Sequence, residues 1–162
     1  MTTRRTYTLA GLVAGIFASL LLSAASAGTT ATKQRVSFLF NFNTQTGEGS
    51  WQLVPLTRGP LKRDSGTSTG GGSIGRRVFL QGQRVTPISG SDVMTGGRGK
   101  LVLTQKLVSA EVGSRYTADI GSWRVASGTG AYEGITGGRR FAGVGLPGGT
   151  VIINEEGYVT VG

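Results

Sequence analysis

Glycine occupies about one position in five between residues 28 and 162, and this spacing leaves no room for a long helix. Each glycine in a helix interior costs about 1 kcal/mol relative to alanine. The stretches between the glycines alternate apolar and polar residues with a period of two, which is typical of strands. In 35–42 (RVSFLFNF) one face carries only valine and phenylalanine, and in 100–108 (KLVLTQKLV) one face carries three leucines and Gln105.

About eight such strands, separated by glycine-rich turns, predict an all-β protein in which residues 28–162 form a single antiparallel closed β-barrel. Two segments break the alternation. Residues 64–76 (DSGTSTGGGSIGR) have no periodicity and are predicted to form a flexible loop. Residues 154–157 (NEEG) separate two apolar runs, so we expect a hairpin connection that holds Glu155 and Glu156 in a solvated turn.

The N-terminal segment 1–27 has the order of a secretory signal peptide. Two arginines precede an uncharged apolar run at 9–22, and Ala25-Ser26-Ala27 follows as an A-x-A cleavage site. We therefore expect cleavage near Ala27 and a secreted, periplasmic or otherwise extracytoplasmic protein. A retained membrane anchor is the alternative, and the choice between the general secretory and twin-arginine routes stays open.

The chain contains no histidine and no cysteine, which removes several kinds of chemistry. Catalysis by serine–histidine or cysteine–histidine pairs, zinc sites of the usual ligand types and haem held by histidine or cysteine are excluded. We therefore expect no metal and no cofactor. Among the eight carboxylates only Glu155 and Glu156 are adjacent, and neighbouring residues of a strand face opposite ways.

The charge is strongly positive, with 15 basic and 8 acidic residues in 28–162. The basic residues come in scattered pairs, at 62–63, 76–77 and 139–140, and do not form a stripe with aromatic platforms between them. We therefore expect no nucleic-acid partner. A weak attraction to an anionic surface of the cell envelope follows from the net charge.

The densest glycine stretch is 122–145 (SWRVASGTGAYEGITGGRRFAGVG). Its G-x-G-x-x-x-G spacing differs from the dinucleotide-binding fingerprint, and its later glycines would break the helix that this fingerprint requires. We instead predict a corner between two strands, with Tyr132 as its anchor and with Gly128 or Gly130 at a positive φ angle.

The segment 121–143 resembles the G-T-G-x-Y/F-x-G-x-x-G signature of allene-oxide-cyclase-like and dirigent-like β-barrels, a group that includes small exported bacterial proteins. The matching residues are Trp123, Gly128, Thr129, Gly130, Tyr132, Gly134 and Gly137. The resemblance implies an eight-stranded antiparallel barrel with an interior cavity, and it leaves a homo-oligomer open because plant members are often oligomeric. It covers about a sixth of residues 28–162 and carries over no catalytic residue.

Three functions remain, of which the first is favoured. The barrel interior binds a small apolar or aromatic ligand without a cofactor, and Tyr116, Asp119 and Arg124 are the candidates for polar contacts with it. Alternatively, the protein is a cyclase, isomerase or dirigent-type enzyme without metal or histidine, with Glu111, Asp119 or Glu133 supplying the charge. The third function is a non-catalytic interaction with the cell envelope.

Overall fold

The computed structural model describes residues 30–162, so the predicted signal peptide at 1–27 lies outside the described residues. The chain forms nine strands: β1 Thr32–Asn43, β2 Glu48–Pro55, β3 Asp64–Ile74, β4 Val78–Leu80, β5 Gln83–Gly96, β6 Gly99–Val112, β7 Tyr116–Gly128, β8 Thr136–Gly145 and β9 Thr150–Val161. A 3-10 turn, Gly130–Tyr132, is the one helical element between residues 30 and 162. None of the helical structure in this range has the length and apolar character needed to span a membrane. The all-β prediction is confirmed.

The strands form one antiparallel sheet whose pairing returns to its starting point. The order is β3-β2-β1-β9-β8-β7-β6-β5-β4, and β3 also pairs with β5 from Gly66↔Gly96 to Ile74↔Ile88. Hydrogen bonds therefore run around a ring of eight strands. The short strand β4 lies outside this ring and pairs with the first residues of β5, from Val78↔Val85 to Leu80↔Gln83. Ring pairing satisfies both edges of each of these eight strands over much of their length.

The side chains that face into the ring form the hydrophobic core. Its buried members are Val36, Phe38, Phe40, Trp51, Leu53, Leu61, Met94, Leu101, Leu103, Trp123, Tyr132, Ile135, Phe141, Ile153 and Val159. The predicted apolar faces of 35–42 and 100–108 contribute to this core and are confirmed. Each fully buried large side chain stabilises the fold by about 1.5–3 kcal/mol relative to an exposed one. Phe38 and Trp123 meet edge to face across the ring, with ring centroids 5.4 Å apart.

The loop predicted at 64–76 is wrong over residues 64–74, which form β3. This strand pairs with β2 on one side and with β5 on the other, so its backbone hydrogen bonds are made by neighbours that are distant in sequence. From Gly66 to Gly72 its inward positions carry glycine and Ser68 in place of large apolar residues, which is why no apolar periodicity marks it. A Cβ atom at Gly66 would overlap the backbone oxygen of Thr95, so glycine permits the close pairing.

The hairpin predicted at 154–157 is also wrong, because β9 runs without a break from Thr150 to Val161. The whole strand pairs with β1, including Phe38↔Glu155 and Ser37↔Glu156. Glu156 faces outward and its carboxylate accepts a hydrogen bond of 2.7 Å from Arg35. Glu155 faces inward and is fully buried. The expectation that both glutamates lie in a solvated turn fails for Glu155.

The glycine-rich stretch after β7 closes one end of the ring, as a corner between β7 and β8. The 3-10 turn places the fully buried Tyr132 in the core, where its ring approaches Trp51 with centroids 6.4 Å apart. Gly130 has φ of 62°, which confirms the predicted positive φ at this corner. Gly128 has an ordinary φ, but a Cβ atom there would overlap the backbone oxygen of Tyr132.

Replacing Gly130 with valine is expected to lower the free energy of unfolding by about 1–3 kcal/mol, because a non-glycine residue is strained at this φ. A Cβ atom would also lie 2.6 Å from the backbone oxygen of Arg98, which adds a steric conflict. Gly71→Val is the matched control, because Gly71 has open space around its Cβ position and no positive φ. Urea unfolding of both variants checks this, and equal stability losses would argue against strain at Gly130.

Candidate functional site

Charge is divided sharply between the inside and the outside of the ring. Every lysine and arginine between residues 30 and 162 is exposed. Three of the acidic residues, Asp92, Asp119 and Glu155, are buried within the ring. The ionised form of a carboxyl group is strongly disfavoured in an apolar interior unless it is paired, so three buried acids without a basic partner among the described residues mark an unusual site.

An interior cavity with a volume of about 240 Å³ lies at the end of the ring opposite to Tyr132. Its apolar wall includes Phe40, Phe42, Ile88, Leu107, Val151 and Ile153. Asp92, Gln105 and Asp119 supply polar groups to the same wall. The cavity reaches the surface near Thr44 and Ile74, which line it and are exposed. The opening at these two residues is the mouth of the cavity.

Glycine creates the room for this cavity. Strand residues alternate between the two faces of a sheet, so Gly70 and Gly72 point inward like the buried Ser68, and Gly90 points inward like the buried Asp92. All three glycines line the cavity. A Cβ atom at Gly70 would overlap a carboxylate oxygen of Asp92, so this glycine also makes space for the acid. The segment that reads as a loop in the sequence is therefore a wall of the cavity.

Glu155 lies between the cavity and the core. Its Oε1 atom accepts a hydrogen bond of 2.6 Å from Nε2 of Gln105, whose side chain lines the cavity. Its Oε2 atom is buried and has no hydrogen-bond partner among the described residues. Burial, and then the negative charge of Asp92, raise the pKa of Glu155 to about 8, against the smaller opposing effect of Gln105. The carboxyl group is therefore mostly protonated at neutral pH.

Asp92 is directly in the cavity wall, where it is 8% exposed. Burial raises the pKa of Asp92 to about 6. An acid with a pKa near neutrality can hold or release a proton with little free-energy cost, which is the property that acid–base chemistry requires. In the binding role, the same carboxyl group can accept or donate a hydrogen bond, depending on pH.

Among the predicted ligand contacts, the structure places only Asp119 in the cavity wall. Asp119 is 7% exposed, and its Oδ1 atom is buried with no hydrogen-bond partner among residues 30–162. Tyr116 and Arg124 are exposed and occupy strand positions that face out of the ring. Glu111 and Glu133, the other carboxylates considered for catalysis, are exposed as well. That Tyr116, Asp119 and Arg124 bind a ligand stays a prediction.

The glycine-rich corner is a separate polar site at the closed end of the ring. The Tyr132 hydroxyl donates a hydrogen bond of 2.7 Å to Oδ2 of Asp64. The same carboxylate also accepts hydrogen bonds from the backbone N–H groups of Ser65, Gly97 and Arg98. Burial disfavours the charge on Asp64, but these hydrogen bonds outweigh it and lower the pKa of Asp64. Burial, and then Asp64, raise the pKa of Tyr132. These hydrogen bonds join β3 to the corner.

Sequence reasoning missed Asp92, Gln105 and Glu155 as site residues. A signal for Glu155 existed, because a period of two across 150–161 (TVIINEEGYVTV) places it on the same face as Ile153 and Val159. Asp92 and Gln105 come together with Glu155 only through the closure of the ring.

Within 30–162, no group of three acidic side chains is arranged so that it could hold a metal ion.

No protein-family model, curated protein or solved structure matches the chain. A function therefore has to be inferred from the geometry and chemistry of the cavity.

Proposed function

We propose that the interior cavity binds one small ligand with an apolar or aromatic body, without a cofactor. The observation that carries this proposal is a cavity of about 240 Å³ that is walled mainly by apolar side chains and glycine, with three polar side chains in reach. Ligand sites are generally concave and apolar, with a few placed polar groups that fix orientation. An eight-stranded barrel interior is wide enough to hold one small ligand.

The proposal includes a closed barrel of the allene-oxide-cyclase-like or dirigent-like type. Its support is the ring of pairing through eight strands and the corner at Tyr132, which contains the residues of the resembled signature. It also includes export after cleavage near Ala27, supported by the order of charged, apolar and small residues in 1–27. The barrel interior would then act outside the cytoplasm.

The polar groups of the cavity define the polar part of the ligand. Asp119 presents a buried carboxylate oxygen without a partner in the described part of the chain, and no lysine or arginine of residues 30–162 lies inside the ring beside it. A ligand hydroxyl or amine would donate a hydrogen bond to this oxygen and remove the cost of leaving it unpaired. The ligand class is therefore an apolar body with one hydrogen-bond donor.

The donor requirement is tested by comparing 1-naphthol with naphthalene, which has the same apolar rings but no hydroxyl group. We expect 1-naphthol to bind the wild type about 10-fold more tightly or better, since leaving a buried polar atom without a hydrogen bond costs about 1–3 kcal/mol. In Asp119→Asn this preference should shrink, because one acceptor oxygen is replaced by an NH2 group, which can only donate hydrogen bonds. Isothermal titration of both compounds measures the difference.

Glu111→Gln is the matched control for Asp119→Asn, because it removes an exposed carboxylate elsewhere in the sheet. It should leave the preference for 1-naphthol intact. Equal affinity of the wild type for the two compounds would contradict the assigned role of Asp119. If neither 1-naphthol nor naphthalene bound, this result would contradict the proposal that the cavity is a site for aromatic ligands.

A second candidate function is isomerisation or cyclisation of such a ligand, and the pKa of Asp92 favours it. A carboxyl group with a pKa of about 6 in an apolar wall is poised to move a proton at neutral pH. A bound compound converted to an isomer of unchanged mass by the wild type, but not by Asp92→Asn, would support catalysis. Conversion at an equal rate by the wild type and by Asp92→Asn would exclude Asp92 as the group that transfers the proton.

A further inference from the structure

The hairpin formed by β4 and the start of β5, residues 78–85, projects beyond the ring next to the mouth. Strand β3 ends at Ile74, which pairs with Ile88 of β5, and both residues line the cavity. The hairpin continues from this point along the same edge of β5. At about 3.3 Å per residue, its turn at Gln81 lies roughly 20 Å beyond Ile88. The hairpin therefore leads away from the mouth.

The hairpin exposes large apolar side chains on both faces. Phe79 is 70% exposed, and Val78 and Leu80 beside it are also exposed. Ile74, at the base of the hairpin, is 76% exposed. Because β4 pairs with β5 alone, its other edge is unpaired within the described residues. Several large apolar side chains exposed on one projecting hairpin indicate an interaction surface.

The charged residues that lie near the hairpin in the sequence are all basic. No acidic residue occurs between Asp64 and Asp92, whereas Arg76, Arg77 and Arg84 flank the apolar residues. The Arg84 guanidinium lies 5.3 Å from the centroid of the Phe79 ring. Arg77 makes an ion pair of 3.0 Å with Glu111, whereas Arg76 and Arg84 have no ion-pair partner among residues 30–162. Aromatic and aliphatic side chains beside arginine are the combination that favours an anionic membrane surface.

We propose that the 78–85 hairpin inserts its apolar residues into an anionic lipid membrane, with Arg76 and Arg84 at the level of the headgroups. A protein partner would meet the same apolar residues, but it would need acidic groups placed opposite two separate arginines. A membrane rich in anionic lipid supplies negative charge at any position, and the apolar side chains of the hairpin need no shaped pocket in it. Docking in this way is independent of what the cavity binds.

The test uses the full chain with Phe79→Trp, which places an emitting side chain at the tip. The native tryptophans, Trp51 and Trp123, are buried in the core and provide a constant background. With phosphatidylglycerol vesicles we expect the emission to shift to shorter wavelength and to be protected from acrylamide. With phosphatidylcholine vesicles we expect little change. Adding Arg76→Gln and Arg84→Gln should weaken binding to the anionic vesicles by more than about 10-fold.

Ile152→Trp is the matched control, because Ile152 is an exposed apolar residue on the outer face of β9. Its emission should stay unchanged with both kinds of vesicle. Unchanged emission of the Phe79→Trp chain on anionic vesicles would overturn the proposal, and so would an equal shift in the Ile152→Trp chain or on neutral vesicles. A shift that depends on protein concentration without lipid would assign the hairpin to a second copy of the chain and would also overturn it.

Discussion

Replacing Tyr132 with alanine is expected to lower the free energy of unfolding by about 3–5 kcal/mol, the range for removal of a buried aromatic side chain. Tyr132 is fully buried, contacts Trp51 edge to face and donates a hydrogen bond to Asp64. Its removal leaves a void at the closed end of the ring and breaks the tie between the corner and β3. Since domains are commonly stable by only about 5–15 kcal/mol, the variant should be close to unfolding.

Tyr132→Phe distinguishes the contribution of the aromatic side chain from that of its hydroxyl group. It keeps the aromatic packing and removes only the hydrogen bond to the Asp64 carboxylate, for which we expect a loss of about 1–3 kcal/mol. Urea unfolding of the two variants, with the wild type alongside, measures both effects. A cost for alanine no greater than the cost for phenylalanine would contradict the role of Tyr132 as the anchor of the corner.

Stability is expected to fall as the pH rises from 6 to 8, and Glu155→Gln should remove this fall. In the unfolded chain Glu155 is ionised throughout this range, whereas in the folded chain its pKa of about 8 keeps it protonated. The folded state then binds more protons, so each added pH unit lowers the free energy of unfolding by up to about 1.4 kcal/mol. The stabilising contribution is fully present below pH 4.5 and is lost as the pH reaches about 8.

The chain is well suited to this measurement because it has no histidine and no cysteine, so few other groups titrate between pH 6 and 8. Asp64 affects stability in the opposite direction, because its pKa is lowered in the folded state. Its stabilising contribution is present above the pKa of the unfolded chain and is lost as the pH falls through the folded-state pKa, so it changes only in acid. Asp92, with a pKa of about 6, affects stability mainly below this window. The fall between pH 6 and 8 therefore belongs to Glu155.

Glu156→Gln is the matched control, since it changes the next residue of β9 on the outer face. Its stability should follow the pH in the same way as the wild type. From pH 6 to pH 8 we expect the wild type to lose roughly 2–3 kcal/mol of unfolding free energy relative to Glu155→Gln. A wild type whose urea midpoint is constant from pH 6 to 8 would contradict protonated Glu155 in the folded state.

Local patterns were sufficient for the parts of the fold where one face of a strand is apolar. The faces at 35–42 and 100–108 alternate clearly, and the corner at Gly130 and Tyr132 follows from glycine spacing and one aromatic residue. These features depend on residues close in sequence. The all-β class and the positive φ at Gly130 were therefore predictable.

The candidate site was not predictable in the same way, because it depends on strands distant in sequence. Strand β3 reads as a loop since its inward glycines bury no side chain, yet those glycines provide the room of the cavity. Glu155 reads as a turn residue because of its polar neighbours Asn154 and Glu156. Only the pairing of β9 with β1 and β8 makes it an interior acid, and only the closed ring brings Asp92 near it.

The central claim, that the cavity binds a small aromatic ligand, is tested most directly by native mass spectrometry in the presence of 1-naphthol. Val151→Trp should fill the cavity, because Val151 lines it, whereas Ile152→Trp places the same side chain on the outer face of the same strand. We expect one bound naphthol in the wild type and in Ile152→Trp, and none in Val151→Trp. Equal binding by the two tryptophan variants, or a wild type that retains no naphthol, would contradict the claim.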